Sequence, residues 1–181
     1  MATSLFYDLG PLEEIAVNLF HGWGYNFYRL ENQLRADDLV IRNQVCSLLG
    51  VARGHVDAAE SAYRRAFLPP PSREKPRPDA DAMAHAQTLE RFSHAIGALE
   101  GQIRAQPAPE NDRMTERYRQ EAPTLQKLLD CDVRLAGRVE LLRALLDHQD
   151  GAWMIEKAAE IQDGLRAIET SLRERQVALF V

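Results

Sequence analysis

The chain has 181 residues, with 45 % hydrophobic and 27 % charged residues and a formal net charge of −5. These values exclude a disordered chain, a collagen-like repeat and a miniature scaffold held by disulfides. A chain this long buries about 70 % of its unfolded surface without covalent staples. Net negative charge also argues against sequence-independent nucleic-acid binding, which rests on neutralising phosphates.

The opening segment, MATSLFYDLGPLEE, has no basic run and reaches Asp8, Glu13 and Glu14 early, so it does not read as a signal peptide. Gly10-Pro11 announces a first helix, with proline in the first turn and two glutamates near the positive end of the dipole. That helix is expected to run to Phe20 or His21, before Gly22 and Gly24. A long helical pattern starts near Tyr25 and carries Phe27, Leu30, Leu34, Ile41, Val45, Leu48 and Ala52 at spacings of three, four and seven. It resumes as Val56, Ala59, Tyr63 and Ala66 or Phe67. Gly50 and Gly54 leave open whether this is one helix or two collinear ones.

Residues 68–79, LPPPSREKPRPD, form a proline-rich linker that excludes helix, and 106–112, QPAPEND, form a shorter one. Between them Leu89, Phe92, Ile96, Leu99 and Ile103 make a third stripe, with Asp79 or Asp81 as its N-cap. A fourth helix is expected from near Asn111 or Asp112, with Pro123 as a kink or boundary and a heptad-like seam of Leu125, Leu128, Leu135, Val139, Leu142 and Leu146. After the polar turn Asp147–Gly151, a last helix carries Ile155, Ala158, Ile161, Leu165, Ile168, Leu172 and Leu179. No alternating strand or Asn-Gly hairpin signal interrupts this series. The expected fold is one all-α domain over 1–181: an antiparallel four- to five-helix bundle with long helical hairpins and a Pro-rich external crossover. No stretch approaches the roughly 18 apolar residues of a membrane span.

Two features stand out as places for chemistry. Five aromatic residues crowd Phe20–Arg29, and two glycines bracket Trp23 so that the backbone can turn and present the indole. His21, Trp23, Tyr25, Tyr28 and Arg29 are therefore the candidate partner- or ligand-binding residues, aromatic anchors with a basic companion. The competing reading is a helix corner that plugs the end of the core. The second feature is polar residues in apolar seams: Glu31, Asp38, His85 and Asp132. Inward acids and a histidine on separate helices are the raw material of bundle metal sites, yet no Glu-x-x-His or His-x-x-x-His accompanies them. Pairing of these acids with Arg42, Arg134 or Arg138 is the simpler expectation.

Cys46 and Cys131 sit in apolar helical stretches and read as buried thiols. The apolar ends, Leu5-Phe6-Tyr7 and Val177–Val181, either dock on the bundle or serve as handles for another chain. With no phosphate loop, nucleophile elbow or ligand-spaced histidines, the sequence points away from an enzyme. It indicates a cytoplasmic protein without cofactor that acts by protein–protein contact, with a protein partner or its own copies. The alternative is a metal- or small-ligand-binding bundle with a site between helices. A lipid-surface role ranks below both, because acids outnumber bases.

Overall fold

The computed structural model describes residues 4–24, 34–70, 73, 77–106 and 121–180, with the backbone alone at 34–37, 121–125 and 179–180. A 3₁₀ turn at Leu5–Tyr7 is followed by helices α1 (Leu9–Gly22), α2 (Leu34–Phe67), α3 (Ala80–Ala105), α4 (Glu121–Leu146), α5 (Gly151–Glu156) and α6 (Ala158–Phe180). No strand occurs among the described residues, and the fold is the expected all-α bundle.

Local chemistry sets the helix ends. The Asp8 carboxylate accepts from Gly10 N at 3.3 Å, the Asp79 carboxylate from Asp81 N at 2.9 Å and the Asp150 carboxylate from Trp153 N at 2.8 Å. Each satisfies a backbone donor that the first turn leaves without an intrahelical partner. Gly24, at φ +70°, takes the left-handed conformation that closes α1. Gln106 precedes Pro107, whose ring disfavours helical backbone before it, and Gln106 is extended at φ −61°, ψ 138°.

The two glycines do not divide α2, which runs unbroken for 34 residues. The last helix does divide, at Lys157 (φ −92°, ψ 16°), into α5 and α6. The stretches 25–33 and 107–120, where the sequence placed the beginnings of the second and fourth helices, lie outside the described residues.

Helices α2 and α3 form an antiparallel hairpin. Its side-chain contacts pair Arg42 with Gln106, Cys46 with Glu100, Arg53 with Ser93 and Tyr63 with His85. Helices α4 and α6 form a second one, with Asp132 against Arg175, Arg134 against Glu174 and Arg138 against Ser171. The hairpins dock through α2 on α4 and α3 on α6, while α1 lies outside on α4. The stripes read from sequence fill the centre: Ile41, Val45, Leu89, Ile96, Leu135, Val139, Leu142, Ile161 and Ile168 are all buried.

Glycine sets the closest approaches. A Cβ on Gly137 would lie 2.6 Å from the Leu12 carbonyl oxygen, so α1 reaches α4 backbone to backbone. A Cβ on Gly164 would lie 2.6 Å from the Phe6 ring, which packs flat on α6 and anchors the N-terminal turn.

Candidate functional site

Charged side chains meet in the core where Asp38 and Arg42 of α2, Gln106 at the end of α3, Asp132 of α4 and Arg175 of α6 converge. All five are buried, and Asp38, Asp132 and Arg175 have no exposed surface. The Arg175 guanidinium donates to Asp132 Oδ1 at 2.7 Å, to Gln106 Oε1 at 2.9 Å and to Asp38 Oδ1. Arg42 Nη1 donates to the Gln106 carbonyl at 2.6 Å. Its Nη2 lies 2.6 Å from Asp38 Oδ2, an ion-pair contact off the hydrogen-bonding line. Two carboxylates thus face two guanidiniums, which removes the large cost of an uncompensated buried charge. Arg42 Nε and Gln106 Nε2 are left without a hydrogen bond among the described residues.

This cluster decides the fate of the seam acids. Asp38 and Asp132 do come together, but around the fork of Arg175 rather than around an open centre. His85 is on the exposed side of α3 near the opposite end of the bundle, with Nδ1 3.1 Å from the Tyr63 hydroxyl. Glu31 lies outside the described residues. Among the described residues no group of three or more His, Cys, Asp or Glu side chains could hold a metal ion. Of the three arginines expected to pair with the acids, Arg42 does so. Arg134 pairs with Glu174 at 3.1 Å. Arg138 donates to the carbonyls of Phe6 and Ala167, both at 3.0 Å, and to the Ser171 hydroxyl, with the Tyr7 ring 5.5 Å away. Burial pushes the Arg138 pKa down, because desolvation disfavours the charged form.

Sequence reasoning missed Arg175 and Gln106. Arg175 stands three residues after Leu172 and seven after Ile168, so its seam position was legible. Gln106 was assigned to a proline-rich linker, whereas it caps α3 and is 5 % exposed.

The aromatic candidates meet a different surface. Trp23 caps α1, is half-buried and stacks obliquely on Phe20 with centroids 5.5 Å apart. His21 is exposed, and Tyr25, Tyr28 and Arg29 lie outside the described residues. Trp23 forms one wall of a groove of about 520 Å³ with Ile15 and Leu19, over a floor of Leu141 and Ala144. A second groove, of about 600 Å³, shares Leu141 and Ala144 and continues over Leu145 towards Leu5, Phe6 and Ala159. The two adjoin at Leu141 and Ala144 to give an apolar trough over the last turns of α4, between α1 and α6. Leu5, at its far end, is 58 % exposed.

A polar corner closes the α4–α5 turn. His55 Nε2 and His148 Nε2 lie 3.3 and 3.5 Å from Asp147 Oδ1, and His148 has the left-handed φ of 55°. Its side chain is 91 % exposed, as a solvated turn residue should be. Cys46 and Cys131 are buried thiols, and desolvation raises the pKa of both.

Against protein-family models, curated proteins and solved structures, the chain has no significant match.

Proposed function

We propose that this chain is a cytoplasmic helical-bundle protein that acts by binding another protein, as an adaptor, assembly factor or small non-catalytic subunit. The observation that carries this reading is the trough over α4. Its floor of Leu141, Ala144 and Leu145 and its wall of Ile15, Leu19 and Trp23 present adjoining apolar side chains on a rigid helical frame. Extended apolar surface on a small domain costs solubility unless something covers it, and aromatic anchors beside aliphatic floors are the composition of binding hot spots. The two cysteines are separate buried thiols, which accords with a reducing compartment. No described helix is long and apolar enough to cross a membrane.

The test is affinity purification of the wild type beside Trp23→Ala and Leu141→Glu, each first shown by circular dichroism to be folded. A protein recovered stoichiometrically with the wild type and lost from both variants is the expected result. An identical set of recovered proteins from all three would overturn the reading.

A further inference from the structure

We infer that the occupant of the α4 trough is an amphipathic helix of a partner protein whose apolar anchors are flanked by lysine or arginine; this rests on the interaction reading above. The trough has the form that a helix needs: a nearly straight apolar floor supplied by one helix, between walls supplied by others. Leu141, Ala144 and Leu145 lie on one side of α4 at spacings of three and four, so a partner helix laid along them would meet them with residues at i, i+3 or i+4 and i+7.

Charge at the rim selects among helices. Glu160 and Asp163 line the α6 side, and Arg166 stands beside them. Glu140 lines the α1 side but is neutralised by a bidentate contact to Arg143, both hydrogen bonds being 2.7 Å. Glu14 is exposed on α1 one turn before the lining residue Asn18, and Lys157 approaches Glu160 at 3.9 Å in solvent. Three carboxylates thus surround the trough against Arg166 and Lys157. The trough also meets the last turns of α1 and α4, the ends of those helices at which the dipole is negative. The rim therefore attracts cations on the flanks of a docked helix and repels carboxylates there.

The probes are two fluorescein-labelled helical peptides with the same leucine anchors at i, i+4 and i+7, one with lysine flanks and one with glutamate flanks. Binding is read by anisotropy near physiological salt, with sedimentation equilibrium of the protein alone in parallel. The lysine peptide is expected to bind at least tenfold tighter than the glutamate peptide. Leu141→Glu should weaken it at least tenfold, and Glu160→Lys with Asp163→Lys should reverse the preference in a protein that circular dichroism shows to be folded. Equal binding of the two peptides overturns the basic partner and leaves the purification experiment to judge the trough. Binding that survives Leu141→Glu, or no binding of either peptide, also overturns it. A wild-type dimer broken by Leu141→Glu would give the trough to a second copy and overturn it as well.

Discussion

Arg175 and Asp38, 137 residues apart in the chain, form an ion pair with no exposed surface on either side chain. The pair joins the last helix to the beginning of α2, and Asp132 and Gln106 complete the guanidinium's fork. Removing the cation would leave two buried carboxylates against one guanidinium, that of Arg42. Arg175→Met is expected to cost about 3–5 kcal/mol in urea denaturation, the usual penalty for breaking one side of a buried pair. Arg175→Lys should recover little of it, because an ammonium cannot replace three bonds made in a fixed fork. A loss below about 1 kcal/mol would mean the cluster is far wetter than its burial shows.

Glycines in this fold divide into two kinds, and calorimetry should tell them apart. Gly137→Ala places a Cβ against the Leu12 backbone, where nothing can rotate away, and should cost about 1–3 kcal/mol by forcing α1 off α4. A Cβ on Gly54 meets nothing within 4 Å, so Gly54→Ala should raise stability by up to about 1 kcal/mol through helix propensity alone. Equal effects of the two substitutions would contradict the close approach of α1.

His148 has a left-handed backbone that costs a non-glycine residue about 1–2 kcal/mol. Its contact with Asp147 at 3.5 Å is exposed and returns little. His148→Gly should therefore raise the melting temperature. A fall would show that the His55–Asp147–His148 corner contributes more than its geometry implies.

Both thiols should resist labelling at neutral pH, since burial raises their pKa and leaves little thiolate. The linkage has a definite sign. Where the folded pKa exceeds the unfolded one, the unfolded chain binds fewer protons at alkaline pH, so stability is intact below about pH 8.5 and declines above it. Replacing both cysteines with alanine should flatten that part of the profile in urea titrations at pH 7–10. An unchanged slope would assign the decline to other groups.

Periodicity made the architecture legible, because the apolar stripes of α3, α4 and α6 needed no knowledge of the neighbours they pack against. The asymmetry of the last helix was not legible, since nothing in the sequence around Lys157 distinguishes it from its surroundings. Asp38 and Asp132 could be singled out as acids in apolar seams. Their common partner required knowing that the end of α6 reaches the beginning of α2, a long-range fact that no local spacing encodes. Trp23 was identifiable from its bracketing glycines. The floor of Leu141, Ala144 and Leu145 was not: Leu142 and Leu146 belong to the same helix, and only the position of α1 decides which leucines stay uncovered.

The buried ionic cluster also divides the molecule by charge. Asp38 and Arg42 belong to the α2–α3 hairpin, and Asp132 and Arg175 to the α4–α6 hairpin, so each half carries one positive and one negative member and is neutral before docking. Within the cluster, neither half brings a net charge to the interface. The bonds from Arg175 to Asp38 and Gln106 close only when the halves meet in the correct register. A misaligned docking would bury the same groups without those partners, so the cluster penalises wrong registers of the two hairpins.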